Sequence, residues 1–397
     1  MWAGGQWMGV FFACVAACGG RISTGGAAND SPGTARTDSG ATATSGRPST
    51  TGSGSGSAVG GSDAGGSDAG SDGDSAAAPD GAAREVRALG TLTTLSSGLT
   101  MPAGIAVDST SVYWTNRIGG TVMKVPVGGG NATTLVQGQT DPSQIVIVGS
   151  NVYWTTGTEE AGKTPGIYGG GIARVPRDGG SVTAWGVSSS LVLSIAADSA
   201  NVYWTYWTTG SASASGQSSL SELHVSSGAV TTTVLQAGGA GGLAVDATNL
   251  YWDDQTGFAI RTMPIAGGPV ATLAAGQMSP TPIAVDAANV YWTNSGEGLV
   301  VKVPIGGGTP IQLVPPTTGQ QASAIVVDAA NVYFANEGSG TVQKVPIGGG
   351  AVTTLIEGLT MPVAIAVDAT SLYVSGSGCP VDDSGCISKA IVKVTPK

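Results

Sequence analysis

The chain has 397 residues, of which 65 are glycine and only 11% carry a charge, with a formal net charge of −10. This acidic balance argues against a nucleic-acid partner, because a duplex binder needs a basic face for the phosphates. No apolar run is long enough to predict a membrane-spanning helix. Abundant Gly, Thr and Val-Tyr-Trp clusters favour β-structure over helix.

Residues 1–18 contain the one targeting signal in the sequence. The apolar stretch ends in Val15-Ala16-Ala17-Cys18-Gly19, which resembles the lipobox of bacterial lipoproteins. The resemblance implies export and lipidation of Cys18, and therefore a lipoprotein of the cell envelope, in the outer membrane or at the cell surface. No Lys or Arg precedes Cys18, although signal peptides normally begin with basic residues. A start upstream of Met1 would account for this departure, as would an initiator amine that supplies the only positive charge. The alternatives to a lipoprotein signal are an ordinary secretory signal and a disordered apolar tag.

Residues 19–88 are built from Gly, Ser, Ala, Thr and Asp in near-repeats such as Gly61-Ser62-Asp63-Ala64-Gly65. This segment has almost no large apolar side chain whose burial could offset the entropy of ordering the backbone. It is therefore predicted to be a disordered, low-complexity tether.

From residue 89 to 397 one unit recurs seven times. A typical unit contains an Ala-Val-Asp strand, a Tyr-Trp-Thr strand, a strand ending in Val-Pro before a Gly-rich turn, and a Thr-Thr-Leu strand, and the other units vary this pattern. The equivalent tyrosines are Tyr113, Tyr153, Tyr203, Tyr251, Tyr291, Tyr333 and Tyr373. Four short strands per repeat of about 40 residues are typical of a propeller blade. The predicted fold is all-β, a seven-bladed β-propeller with four-stranded blades.

The two ends of the repeat region predict how the ring closes. The last unit ends at its third strand, Ile391–Val394, and lacks a Thr-Thr-Leu strand. Thr93-Thr94-Leu95 precedes the first unit. The N-terminal segment is therefore predicted to supply the outer strand of blade seven, which leaves no open edge.

The Ala-Val-Asp and Tyr-Trp-Thr pattern resembles the YWTD propellers of lipoprotein-receptor ectodomains. It is also similar to bacterial NHL-type and streptogramin-lyase-type propellers. The resemblance implies a fold and carries no receptor biology, since the receptor class usually has six blades. Trp114-Thr-Asn116, Trp252-Asp-Asp254 and Phe334-Ala-Asn336 depart from the complete tetrad.

Three repeated features look like sites but are interpreted as structural. The repeat aspartates precede tight turns, and a carboxylate can accept hydrogen bonds from the N–H groups of such a turn. They are Asp108, Asp198, Asp246, Asp286, Asp328 and Asp368, and blade two has Val148 at this position. The Tyr-Trp pairs are expected to pack blade against blade rather than to stack on sugars or bases. His224, the only histidine, is assigned to the position of Lys124 and Lys302, on the solvated side of a strand.

Three insertions are the informative departures from the repeat. They lengthen blades two, three and seven between the second and third strands, so they are expected on one face, and such insertions usually mark the binding face. Cys379 and Cys386 are expected to close the blade-seven insertion as a disulfide, which an oxidising compartment favours. The candidate binding residues on this face are Arg117, Glu159, Glu160, Lys163, Tyr168, Tyr206, Trp207, Glu222, Asp253, Asp254, Glu297, Glu337, Asp382 and Asp383. An acidic rim with aromatics suits a basic or polar partner, or a calcium ion, while the alternative is that these loops are merely solvated.

The preferred hypothesis is an exported, lipid-anchored, monomeric propeller that binds a protein, peptide or glycan through this face and has no catalytic residues. The lone histidine weighs against a Ser-His-Asp triad. The alternative is a hydrolase or lyase that uses only carboxylates, since two suffice for glycoside hydrolysis. A third hypothesis is an envelope scaffold stabilised by calcium; no other cofactor is expected.

Overall fold

Seven antiparallel sheets form a closed ring in the computed structural model, and the predicted seven-bladed β-propeller is confirmed. The structure describes residues 86–157, 170–186, 190–208, 217–235, 239–294, 298–317, 321–376 and 389–397, with the side chains of 190, 191, 208, 217 and 234 left out. Within these ranges there is no helix able to cross a membrane.

The strands are short and rich in Val, Ile, Thr, Tyr and Trp, residues that suit a pleated, buried surface. The N-terminal pair is β1 (Arg87–Ala88) and β2 (Thr91–Ser96). Blades one to three contain β3 (Pro102–Val107), β4 (Ser111–Asn116), β5 (Thr121–Pro126), β6 (Thr133–Val136), β7 (Ile145–Val148), β8 (Asn151–Thr156), β9 (Gly171–Pro176), β10 (Thr183–Gly186), β11 (Ser190–Ala197), β12 (Asn201–Thr208), β13 (Gln217–His224) and β14 (Val230–Val234). Blades four and five contain β15 (Ala240–Val245), β16 (Asn249–Asp254), β17 (Ala259–Pro264), β18 (Ala271–Ala275), β19 (Pro280–Val285), β20 (Asn289–Asn294), β21 (Leu299–Pro304) and β22 (Ile311–Val314). Blades six and seven contain β23 (Ala322–Val327), β24 (Asn331–Asn336), β25 (Thr341–Pro346), β26 (Thr353–Glu357), β27 (Pro362–Val367), β28 (Leu372–Gly376) and β29 (Ala390–Thr395).

The N-terminal segment closes the ring, as predicted. Strand β2 pairs antiparallel with β29, with Thr93 opposite Lys393, and becomes the outer strand of blade seven. Strand β1, which precedes the expected propeller start at residue 89, adds a fifth strand to blade six by pairing with β26. The first described residues thus join the two last blades.

The repeated Tyr-Trp pairs bury the two faces of each blade against its neighbours, which confirms their structural interpretation. The tyrosine of one blade shares a hydrophobic cluster with the tryptophan of the next, as Tyr113 does with Trp154 and Tyr153 with Trp204. Tyr373 of blade seven packs in the same way with Trp114 of blade one. All of these rings are at most 2% exposed. Each blade is covered by a neighbouring blade on both faces. Side chains that alternate along a strand therefore face the blade before and the blade after, so the alternation does not separate core residues from solvent-exposed ones.

The repeat aspartates act locally, as expected from the turn sequence. In blade seven, Asp368 Oδ1 accepts the N–H groups of Thr370 and Ser371, each at 2.7 Å, and Asp368 Oδ2 accepts the Tyr373 hydroxyl at 2.6 Å. Each aspartate therefore ties its turn to the buried tyrosine of the following strand. Blade two has no such carboxylate, and the buried Tyr153 hydroxyl there has no hydrogen-bond partner.

The lysines of the third strands in blades one, five, six and seven link their blade to the next. Lys302 Nζ donates to the backbone carbonyl of Ile347 at 2.5 Å, and Lys393 Nζ donates to Val127 O at 2.9 Å across the closure. A charged donor on a carbonyl is stronger than a neutral hydrogen bond. The lysine side chains at this repeat position are therefore half-exposed and also contact the next blade.

The assignment of His224 to that position is wrong. Tyr203 lies opposite Glu222, whereas Tyr113 lies opposite Lys124, so Glu222 occupies the lysine position in blade three. His224 lies opposite Asn201, where other blades have proline. The error arose because the insertion separates Tyr203 from its partner by 19 residues along the chain, against 11 in blade one, and the pairing across an insertion cannot be read from sequence spacing.

Candidate functional site

One face of the ring carries the connections between second and third strands, and we call it the insertion face. The insertions in blades two, three and seven lie between strand ends paired as Thr156–Gly171, Thr208–Gln217 and Gly376–Ala390. The inner strands of blades seven, one, two and three contact one another in that order. The strand ends that flank the three insertions therefore follow one continuous arc of the ring.

Arg117 lies on this face in the short turn of blade one, half-buried. Its guanidinium binds Asp141 with two nitrogens, one of them at 2.9 Å from Oδ2. Asp141 belongs to the connection that leads into blade two. A bidentate Arg–carboxylate pair has fixed geometry, so Arg117 joins blades one and two as well as facing the arc.

Asp253 and Asp254 were expected in an exposed loop, and this placement is wrong. They end strand β16 and are 0% and 1% exposed. Asp254 accepts the Gly257 N–H at 2.7 Å and pairs with Arg261 at 3.1 Å. It therefore stabilises the turn that follows β16 rather than contributing to a rim.

Asp253 occupies the position that Thr115 and Thr293 hold in blades one and five. Its carboxyl accepts the N–H groups of Gly241 at 3.1 Å and Gly242 at 2.5 Å. A Cβ at Gly241 would lie 2.3 Å from Oδ1, so the glycine makes room for the carboxyl. Burial raises the pKa of Asp253 to about 8, even though these N–H groups and Gln255 lower it. The carboxyl is therefore harder to ionise than an ordinary aspartate side chain, and it has no contact with solvent.

The other described candidates are partly or fully covered. Tyr206 is buried and Trp207 is half-buried, and both lie within β12. Glu337 is half-buried in the short turn of blade six, where burial raises its pKa above the usual value. Glu222 lies in β13, half-buried. The remaining candidates are outside the described residues: Cys18, Glu159, Glu160, Lys163, Tyr168, Glu297, Cys379, Asp382, Asp383 and Cys386.

Neither a metal centre nor a histidine-based site is found on the described part of the insertion face. The described residues contain no cluster of three or more His, Cys, Asp or Glu side chains that could hold a metal. His224 lies at the end of β13 that leads away from this face, and its Nδ1 is 2.9 Å from Asn201 Oδ1. A calcium ion on the insertions stays a prediction.

Sequence reasoning missed the exposed apolar residues of the insertion face. Ile118, Phe258 and Met278 are 76%, 52% and 61% exposed, and lie in connections on this face. Aligning the short turns would have revealed Phe258, because it occupies the position of Gly120 and Gly340. Single exposed apolar residues are common, so the glycine position is the informative signal.

Comparison with known proteins identifies a fold. No protein family and no curated protein sequence matches the chain. Among solved structures, a streptogramin B lyase matches with a TM-score of 0.60 at 12% identity, over 77% of this chain and 98% of that one. Virginiamycin B lyase from Staphylococcus aureus matches with a TM-score of 0.56 at 13% identity, over 78% and 99%. At such identities the similarity shows that the chain has the same propeller fold as these lyases, and it shows nothing about activity.

Proposed function

We propose that the protein is an exported, lipid-anchored binding module that recognises a protein, peptide or glycan through its insertion face. The observation that carries the proposal is the arc of blades seven, one, two and three, to which all three insertions attach on one face. In repeat proteins, insertions restricted to one face are usually used for recognition. A rigid ring that presents long connections also meets the general requirement that binding loops be held by a stable scaffold.

The described carboxylates support binding over the carboxylate-dependent hydrolase or lyase. A general acid or nucleophile must reach its substrate, whereas Asp253 and Asp254 are buried and bonded within the protein. The acidic residues of the insertions could still act in either role. Converting Glu159, Glu160, Asp382 and Asp383 to amides would separate the two: loss of turnover with unchanged binding would identify the enzyme.

The test of the binding face is a comparison of three baits in a pull-down from envelope extract of the source organism. The first is the unaltered chain. In the second, residues 157–170, 209–216 and 377–389 are each replaced by the short turn of blade one, residues 117–120. The third keeps the insertions and changes Val182, Val270 and Val352 to Ser. These valines are exposed beside hairpins on the opposite face.

A component bound by the first and third baits and lost from the second would identify the insertion face as the binding surface. Equal recovery on all three, or none on the first, would refute the proposal. Each bait must first show the same urea unfolding midpoint, so that loss of binding is not loss of fold.

The lipid anchor is proposed from Val15-Ala16-Ala17-Cys18, and it is tested separately. The chain expressed in a bacterial host and labelled with a radioactive fatty acid should incorporate label and fractionate with membranes. Cys18→Ser should lose both properties. Label that persists in Cys18→Ser, or a chain without label, would show that the anchor is absent.

A further inference from the structure

Phe258 occupies a turn position that is glycine in three equivalent blades, Gly120, Gly298 and Gly340. The Gln277 N–H donates to Phe258 O at 2.7 Å, as Gln139 N–H does to Gly120 O and Leu359 N–H does to Gly340 O, both at 2.9 Å. The φ angles of Phe258, Gly120 and Gly340 are 50°, 59° and 66°. The same turn position is thus glycine in blades one, five and six and phenylalanine in blade four.

The phenylalanine is unfavourable at this position in two ways. The left-handed region brings a Cβ too close to the backbone, and only glycine adopts it without this cost. The side chain is also 52% exposed, so packing does not compensate for the strain. Backbone strain in a bulky residue that gains little burial motivates the hypothesis that the side chain is retained for recognition.

Met278 places a second exposed apolar side chain at the same point of the insertion face. It directly follows Gln277, whose N–H is bonded to Phe258 O, and it is 61% exposed. Methionine adapts its shape to an apolar partner and is frequent on surfaces that bind peptides. Together the two residues offer an aromatic ring and a flexible thioether.

The polar side chains around this pair have hydrogen-bond partners within the protein, although Gln255 and Thr256 are exposed. Thr256 and Arg261 bind Asp254, Gln255 binds Asp253, and Gln277 Oε1 accepts the Trp292 indole N–H at 3.0 Å. A sugar ring stacked on an aromatic needs free polar groups nearby for its hydroxyls, whereas an apolar side chain of a peptide needs none. The surroundings therefore favour a polypeptide over a glycan.

We propose that Phe258 and Met278 form the anchor for an aliphatic or aromatic side chain of a polypeptide partner bound on the insertion face. This inference rests on the proposed binding function and names its ligand class. Interfaces are commonly dominated by a few such apolar anchors. The strain at Phe258 is then the cost of placing an aromatic ring where the turn geometry prefers glycine.

The test uses a phage-displayed library of random short peptides, selected on the full chain with Cys18→Ser. Selected peptides are then measured by fluorescence anisotropy against the same chain, F258G, M278S and V270S. Val270 is a matched control, because it is 45% exposed in the same blade but on the opposite face. We expect peptides rich in Leu, Phe, Trp or Met, and a Kd at least about tenfold weaker for F258G and M278S. V270S should stay within about twofold of the unaltered chain. F258G should unfold at an equal or higher urea concentration, which separates lost contact from lost fold.

The proposal is overturned if no peptide is selected above the F258G background, or if the selected peptides bind F258G as well as the unaltered chain. It is also overturned if a glycan array shows binding that depends on Phe258, or if Phe258 instead mediates dimerisation, seen as a mass change by light scattering. The chain with trimmed insertions separates the two hypotheses. If the chain with trimmed insertions loses binding and F258G keeps it, the proposed binding function of the insertion face is supported and the anchor is refuted. The reverse would establish the anchor without a role for the insertions.

Discussion

Tyr373 and Tyr153 form a natural comparison for the strength of the Asp–Tyr contact. Both rings are fully buried at equivalent positions, but only the Tyr373 hydroxyl has an acceptor, Asp368 Oδ2 at 2.6 Å. A hydrogen bond to a charged group contributes about 1.5–3 kcal/mol. Because Asp368 is half-exposed and water can replace part of the contact, we expect Tyr373→Phe to lower the free energy of unfolding by about 1.5 kcal/mol. Tyr153→Phe removes a hydroxyl with no partner, and should be neutral or stabilising by up to about 1 kcal/mol.

The assay is urea unfolding followed by tryptophan fluorescence, with midpoint and slope compared for the two variants. The effect should depend on pH. Burial alone would raise the pKa of Asp368, but the Tyr373 hydroxyl and the N–H groups of Thr370 and Ser371 hold it below its usual value of 3.8. The contribution of a carboxylate with a lowered folded-state pKa is complete above the unfolded pKa, and is lost as the pH falls through the folded one. The Tyr373→Phe difference should therefore shrink below about pH 4. Equal losses for both variants, or a loss for Tyr153→Phe alone, would refute this account.

Three further predictions concern blade four and the links between blades. Because the pKa of Asp253 is raised to about 8 from 3.8, the unfolded chain releases a proton that the folded chain holds, so stability should fall as the pH rises from about 4 to 8. Asp253→Asn, which mimics the protonated acid, should reduce that slope and be more stable than the unaltered chain at pH 9 by urea titration. Lys302→Met keeps the apolar stem but loses the bond to Ile347 O, which should lower the free energy of unfolding by about 1 kcal/mol. Deleting residues 86–96 removes β1 and β2 and exposes the edge of β29, so the truncated chain should aggregate in size-exclusion chromatography.

Each of these has a contradicting outcome. An unchanged pH slope in Asp253→Asn would mean that another group titrates. A Lys302→Met chain as stable as the unaltered one would show that solvent replaces the interblade bond in full. A monomeric, equally stable truncated chain would show that closure by β2 is dispensable.

The fold could be predicted from sequence because the strand and turn pattern of a blade recurs seven times along the chain. A tyrosine recurs at each blade, and the missing last strand has its counterpart at Thr93-Thr94-Leu95. Turn chemistry was equally readable, since an Asp-x-x-Asn segment bonds within itself and needs no distant partner. Even the exception was visible: Val148 leaves Tyr153 without an acceptor.

The candidate site was less predictable, for reasons that concern register and burial. Whether Asp253 is on a rim or inside depends on Gly241 and Gly242 of the neighbouring strand, which leave space for a carboxyl. The register of β12 with β13 is set across the insertion that joins them, and it places Glu222 opposite Tyr203 and His224 opposite Asn201. Neither effect leaves a local pattern along the chain.

By itself, the sequence determined the number of blades, the closure of the ring, the turn contacts and the one-sided insertions, because each depends on spacing along the chain. Only the tertiary structure decided that Asp253 is a buried acid with a raised pKa, that lysines bridge blades and that Phe258 replaces a turn glycine. Those properties depend on which atoms of a neighbouring strand, blade or turn lie within a few ångströms. A repeat pattern predicts the typical contacts of a position with the neighbouring strand or blade. The candidate site is formed by positions that depart from that pattern, so its contacts need the structure.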